Sequence, residues 1–181
     1  MEFRDSGDSS VSDSQVPRIA AAGLAIGAIL GMAGTFVSTP TLRGLAWGLD
    51  GTFLTVSAAL LTIHHFRRGN DLVAAGFLVF AVGEGLILSG AAMDLVASAP
   101  TFAAGVSLWA ASLALVSASP IMPALVRGVG AVGSVLFAIV AVQIFAGRPL
   151  TPLSEPLPFF AYPFLAATLF GWAWVHYRGG A

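Results

Sequence analysis

Residues 71–93 read DLVAAGFLVFAVGEGLILSGAAM, an apolar run that begins at Asp71 and is then interrupted by one carboxylate, Glu84, near its middle. A helix needs about 20 mostly apolar residues to cross the ~30 Å hydrocarbon core of a lipid bilayer. A run of this length and composition therefore predicts a helix that spans a membrane.

Five further apolar stretches of similar length lie before and after this run. The whole chain is 57% hydrophobic and only 9% charged, whereas a soluble domain carries roughly 25% charged residues. Prolines and a polar turn at residues 67–70 separate the stretches. We predict an all-α, polytopic transmembrane bundle of about six helices. They lie at about residues 18–37, 46–66, 71–93, 101–118, 122–146 and 157–177 and form one transmembrane domain at residues 18–178.

The first 17 residues differ from the rest of the chain. The segment MEFRDSGDSSVSDSQVP holds four acidic residues among serines, and it offers too little apolar surface to offset the entropy lost on ordering. We expect residues 1–17 to form a disordered cytoplasmic tail.

The distribution of arginine predicts the orientation of the bundle. All eight cations of the chain are arginine, and cytoplasmic loops carry the excess of positive charge. A lysine-free chain rich in Ala, Gly and Arg is typical of GC-rich bacterial genomes, so we expect a multi-pass protein of a bacterial inner (plasma) membrane with both termini in the cytoplasm. This orientation puts two arginines outside, Arg43 and Arg148, and six inside, Arg4, Arg18, Arg67, Arg68, Arg127 and Arg178.

Composition and motifs also exclude several classes of function. With a net charge of −1 and scattered arginines, the chain has no basic face for nucleic acid. It contains no cysteine, which excludes thiolate metal sites, iron–sulfur clusters and cysteine nucleophiles. Motifs of hydrolases, metalloproteases and nucleotide-binding loops are absent. We expect no metal and no cofactor, and the sequence leans against an enzyme.

Regularly spaced glycines predict how the helices pack. Helices in lipid associate by close backbone approach, which small residues allow, and residues four or seven apart share a helix face. We predict two packing faces, formed by Gly23, Gly27 and Gly31 in the first helix and by Gly76, Gly83 and Gly90 in the third.

The two halves of the chain resemble each other weakly. Because three is an odd number, duplication of a three-helix unit would place the second copy upside down, as in many transporters. Chance similarity in a chain rich in Ala, Gly and Val is the alternative. The matching elements are Ala21-Ala22-Gly23, Val37-Ser38, Pro40, Arg43-Gly44 and Gly48-x-x-Gly51, against Ala103-Ala104-Gly105, Val116-Ser117, Pro120, Arg127-Gly128 and Gly130-x-x-Gly133.

Glu84 is the strongest candidate for a functional residue. A carboxylate in the middle of a membrane helix is costly unless it is paired, neutralised or hydrated, so it must face the bundle interior. Asp50, Ser57 and His64 recur every seven residues on one face of the second helix, and this stripe would line a proton or cation path beside Glu84. The alternatives are that Glu84 is structural glue and that Asp50 and His64 only mark the two ends of the helix.

Arginine and histidine supply the remaining candidates. Arg127 lies about one turn into the fifth helix, where it would either extend to the lipid headgroups or pair with an acid in the bundle and join the path. His64 and His65 end the second helix and His176 ends the sixth. They would anchor the helices at the interface, or, as a weaker alternative, ligate a haem.

Three hypotheses about function follow. The first is a small transporter or channel-like bundle with a carboxylate at the bilayer midplane. The second is a non-catalytic membrane subunit or assembly partner of a larger complex, and the third is a haem- or quinone-linked redox subunit. The expected partners are the lipid bilayer and, beyond it, a second copy of this chain or another membrane subunit.

Overall fold

A computed structural model describes residues 9–91, 95–148 and 157–179 of the chain. These residues form six α-helices and no strand, which confirms the predicted all-helical bundle. The helices are α1 (Ser9–Phe36), α2 (Pro40–Arg67), α3 (Asp71–Ala91), α4 (Leu95–Ala118), α5 (Ala124–Phe145) and α6 (Leu157–Tyr177).

Five of these helices, α1 to α5, contain spans that are long and apolar enough to cross a membrane. The sequence predicted about six crossings, and these five spans, which are counted over the described residues only, do not include α6, a helix of 21 residues. Helix α1 begins at Ser9, so residues 9–17 of the predicted tail are helical, and residues 1–8 lie outside the described residues.

Local chemistry explains the turn between α2 and α3. Gly69 adopts a φ of 72°, a left-handed conformation that glycine reaches without strain and that often ends a helix. The backbone N–H of Asn70 then donates to the carbonyl oxygen of His65 at 2.9 Å, and the Asn70 carbonyl accepts from the N–H of Ala74 at 3.0 Å. The turn therefore satisfies backbone groups at both helix ends.

The six helices form a closed ring in chain order. Each helix packs against its neighbours in sequence, and α6 packs against α1 to close the ring; among the described residues no other pair of helices makes comparable contacts. Consecutive helices run in opposite directions, so α2, α4 and α6 end at the same side. We call this side the histidine end, because His64, His65 and His176 lie there, and we call the opposite side the far end.

The centre of the ring is filled by aromatic side chains. Successive ring centroids lie 5.0 to 6.3 Å apart, in contacts that are mostly edge-to-face, the geometry that aromatic pairs prefer. This aromatic cluster comes from four helices, α3 to α6, and consists of Phe77, Phe80, Trp109, Phe137, Tyr162 and Trp172.

Candidate functional site

Glycines of α1 determine where the polar face of α2 lies. A Cβ atom built on Gly27 would lie 2.5 Å from Leu54, and one built on Gly31 would lie 2.6 Å from Oδ2 of Asp50. A Cβ atom built on Gly23 would lie closer still to the hydroxyl oxygen of Ser57. A larger side chain at these positions would separate the helices, so the glycine face of α1 holds Asp50 inside the bundle.

The glycines of α3 lie against α4. A Cβ atom on Gly76 would lie 2.5 Å from Val116, and one on Gly83 would lie 3.1 Å from the carbonyl oxygen of Gly105. Gly90 lies in α3, but its surroundings are outside the described residues. Because Gly83 allows α3 to approach α4 closely, the adjacent residue Glu84 lies against the side of α4 that points to the centre of the helix ring.

Glu84 lies inside the bundle and is only 2% exposed. Its Oε1 atom is buried and has no hydrogen-bond partner among the described residues, and the same is true of Oδ1 of the half-buried Asp50. The two carboxyl groups lie close enough to interact electrostatically. We call Asp50 and Glu84 the acidic pair.

Two aromatic residues with polar atoms surround the acidic pair. The indole of Trp109, from α4, lies beside the carboxyl group of Glu84, and the phenol of Tyr162, from α6, is close enough to interact with both carboxyl groups. The indole N–H of Trp109 is a donor within reach of this carboxyl group, but neither Nε1 of Trp109 nor Oε1 of Glu84 has a partner in full hydrogen-bond geometry among the described residues. The site therefore combines polar atoms with little hydrogen bonding in an apolar, close-packed surrounding.

Trp109 and Tyr162 were not among the residues that we selected from the sequence. Selecting polar side chains at depth in an apolar helix overlooks aromatic residues, because they are counted as hydrophobic. Trp109 lies in the middle of the fourth apolar stretch and Tyr162 lies between aromatic residues in the sixth. A search for buried N–H and O–H groups of aromatic residues would have included both.

Ser57 and Arg127 lie apart from the acidic pair. Ser57 is buried against Gly23 at the contact between α1 and α2. The Nε atom of Arg127, a half-buried residue, donates to the carbonyl oxygen of Ser117 at 2.8 Å. Arg127 therefore joins the start of α5 to the end of α4, at the histidine end.

The three histidines meet at the histidine end, although α2 and α6 are not neighbours in the ring. The ring of His65 is fully buried and stacks on Phe77 with centroids 5.6 Å apart. His64 contacts His65 and His176 edge-on, at 5.2 and 6.4 Å between centroids. We call His64, His65 and His176 the histidine cluster.

Hydrogen bonds determine which nitrogen of each histidine carries the proton. The Nδ1 atom of His176 lies 2.6 Å from the carbonyl oxygen of Trp172, and because a carbonyl only accepts, Nδ1 must donate. A neutral His176 then has a lone pair on Nε2, so His65, whose Nε2 is 2.9 Å away, donates to it. His65 consequently accepts at Nδ1, which lies 3.5 Å from the amide nitrogen of Asn70. The result is a directed chain from Asn70 through His65 and His176 to Trp172.

The histidine cluster does not fit a haem. Axial imidazoles bind iron from opposite sides, and metal–imidazole bonds of about 2 Å place the two ligating nitrogens about 4 Å apart. The Nε2 atoms of His65 and His176 are 2.9 Å apart, and all three rings contact one another. Among the residues that the structure describes, no group of three or more His, Asp or Glu is arranged to hold a metal ion.

Comparisons of the chain with protein-family models, with curated proteins and with solved structures found no match.

Proposed function

We propose that this membrane protein transports protons, and that the acidic pair, Asp50 and Glu84, is the site where a proton binds inside the bundle. The observation that supports this most directly is the burial of Glu84, whose Oε1 lacks a hydrogen-bond partner among the described residues. A buried polar group normally has its partners. An incomplete one in the middle of a membrane helix indicates a ligand that comes and goes.

The second carboxyl group strengthens the argument. Two carboxylates within electrostatic range of each other in an apolar interior disfavour each other's charge, so a proton or another cation that neutralises part of that charge stabilises the pair. Asp50 and Glu84 interact in this way from adjacent helices. The acidic pair therefore has the chemistry of a site that accepts and releases one positive charge.

Packing around the pair favours a proton over a larger cation. A metal cation such as Mg²⁺ or Ca²⁺ needs six or more oxygen ligands. The rings of Trp109 and Tyr162, which lie near Glu84, instead pack against each other and against Phe137, with ring centroids 5.3 to 6.3 Å apart. A proton adds to a carboxyl oxygen without displacing any of these rings.

The arginines support an orientation for the transport. Arg67, Arg68, Arg127 and Arg178 lie at the histidine end, whereas Arg43 and Arg148 lie at the far end. Arg178 also lies 3.9 Å from the ring centroid of Trp174, a contact typical of interfacial residues. By the positive-inside rule we propose a bacterial inner membrane, with the histidine end and both termini in the cytoplasm.

Proton flux in proteoliposomes tests the proposal. The purified protein is reconstituted with a pH-sensitive dye inside the vesicles, and a potassium diffusion potential drives protons across the membrane. We expect Glu84→Gln, which keeps the size of the side chain but removes the titrating group, to reduce the flux by about tenfold or more. The matched control is Asp71→Asn at the exposed start of α3, which should retain the wild-type flux.

Equal flux in wild type and Glu84→Gln would overturn the proposal. A wild-type protein that carries no flux but purifies with a stoichiometric membrane partner would instead support a non-catalytic subunit, in which the buried polar groups serve only to hold helices together.

A further inference from the structure

The ring of helices can be divided into two consecutive three-helix halves. Helices α1 to α3 form the first half and α4 to α6 the second, and the halves contact each other through α3–α4 and α6–α1. Because three helices make a half, α4 runs opposite to α1.

Two arginines support this division. Arg43 donates from Nε to the carbonyl oxygen of Val37 at 3.0 Å, and its Nη2 lies 3.3 Å from the carbonyl oxygen of Ser38. Arg127 donates to the carbonyl oxygen of Ser117. In each half an arginine from the second helix thus binds the Val-Ser segment at the end of the first helix. The two contacts lie at opposite ends of the bundle, as an inverted repeat requires.

Contacts between the two halves close the histidine end. His65, from the first half, hydrogen-bonds His176, from the second. Phe77 contacts both His176 and Trp172, with centroids 5.7 and 5.0 Å apart, and Phe80 packs against Trp172 at 5.9 Å. All of these side chains lie between the histidine end and the acidic pair, and all five are at most 1% exposed.

The acidic pair lies nearer the far end than the histidine end. Asp50 lies in the third turn of α2, which begins at the far end, and it is half-buried rather than buried. The position of Glu84 in α3 is farther from the histidine end than those of Phe77 and Phe80. The structure therefore has the features of a state that is closed at the histidine end.

We infer that the contact of His65 with His176, backed by Phe77 and Trp172, is a gate at the histidine end, and that displacement of α1–α3 relative to α4–α6 opens it. This inference rests on the proposed proton transport, because a gate controls access to the acidic pair. Two halves that move as units around a central site would expose that site to each side of the membrane in turn.

The natural chain contains no cysteine, so thiols can be introduced singly or in pairs without a background reaction. The test is His65→Cys combined with His176→Cys, reconstituted as above and treated with a short bis-methanethiosulfonate reagent. A bifunctional reagent is needed because α2 and α6 are not in backbone contact, so that a direct disulfide cannot form. We expect bridging to reduce proton flux by about tenfold or more, and reductant to restore it.

The matched control links two helices of the same half. A Cβ atom on Gly133 of α5 would lie 3.5 Å from Cβ of Phe164 of α6, which fits the Cβ separation of a disulfide. Gly133→Cys combined with Phe164→Cys, once oxidised, should leave the flux as it is before oxidation, because the halves move as units. If the histidine variant does not fold, Phe77→Cys with Trp172→Cys links the same two halves.

The outcomes separate the gate from the transport activity. If the wild type carries Glu84-dependent flux and the cross-linked histidine variant carries as much flux as the reduced one, the gate is wrong and proton transport stands. If the control cross-link stops the flux as well, the division into two moving halves is wrong. If the wild type carries no proton flux, both the proposed transport function and the proposed gate are wrong.

Discussion

The acidic pair and the hydrogen-bonded pair His65–His176 are two buried polar groups in one bundle, and they differ in how far the protein completes their hydrogen bonds. His65 and His176 each donate one hydrogen bond and accept one, in a chain that begins at the side-chain amide of Asn70 and ends at the carbonyl oxygen of Trp172. Asp50 and Glu84 each keep a buried oxygen without a partner among the described residues.

This difference indicates that the His65–His176 pair stabilises the fold, whereas the acidic pair binds a ligand. A buried polar group that is fully satisfied strengthens the packing around it, and removal of one member leaves its partner unsatisfied. A buried polar group that lacks partners costs stability until a ligand completes it. Stability measurements on the two regions should therefore give opposite results.

The largest effect on stability is expected at the histidine cluster. His176→Leu introduces an apolar side chain of similar volume and removes the nitrogen that accepts from Nε2–H of His65. The ring of His65 is fully buried. Leaving that donor unsatisfied should lower the free energy of unfolding by about 1–3 kcal/mol, measured by denaturant titration in detergent micelles. The control is Tyr177→Leu at the neighbouring exposed position, where a change within about 0.5 kcal/mol is expected. Equal losses in the two variants would remove the structural role of the histidine chain.

A smaller effect of the opposite kind is expected at the acidic pair. Glu84→Met retains the length of the side chain but removes a carboxyl group whose Oε1 has no partner. Replacing an unsatisfied buried polar group by an apolar one is often neutral or stabilising, so the free energy of unfolding should stay the same or increase while proton flux is lost. A loss of stability as large as that of His176→Leu would show that Glu84 is structural glue, and the contrast between the two regions would disappear.

The smallest effect is spectroscopic and needs no substitution. With ¹⁵N-labelled histidine, His176 should appear as the tautomer protonated on Nδ1 and His65 as the tautomer protonated on Nε2, because of the order of donors and acceptors. Single His→Gln variants assign the signals. The reverse tautomer at either residue would contradict the directed chain and weaken the comparison made above.

Much of the fold could be predicted from the sequence because bilayer thickness and backbone hydrogen bonding leave few alternatives for long apolar segments. The stretch at residues 71–93 indicated α3 within a few residues, and the turn at residues 67–70 separated α2 from α3 as expected. The glycines at 23, 27 and 31 lie against α2. The start of α1 differed, because polar residues from Ser9 onwards continue the helix that the apolar segment begins.

The site could be predicted only in part. The cost of a carboxylate at depth in the membrane placed Glu84 inside the bundle, and the structure has it buried. The sequence offered lipid headgroups or an acid as partners for Arg127, and the bond from its Nε to the carbonyl oxygen of Ser117 was not foreseen, since a backbone group at the end of the preceding helix is not visible as a partner in the sequence. Trp109 and Tyr162 reach the acidic pair from helices that are distant along the chain, and no local pattern predicts that proximity.

The sequence by itself indicated that this protein lies in a lipid bilayer, and it predicted the number and approximate limits of its helices. Both follow from the cost of apolar surface in water and of a charge in lipid, which depends on the residue types and their order along the chain. Only the tertiary structure decided which helices are neighbours and therefore which polar side chains meet. The His65–His176 hydrogen bond joins helices that are not adjacent in the ring, and the acidic pair is surrounded by α4 and α6. Such meetings depend on the order in which the helices close the ring, a property of three-dimensional packing that no single helix encodes.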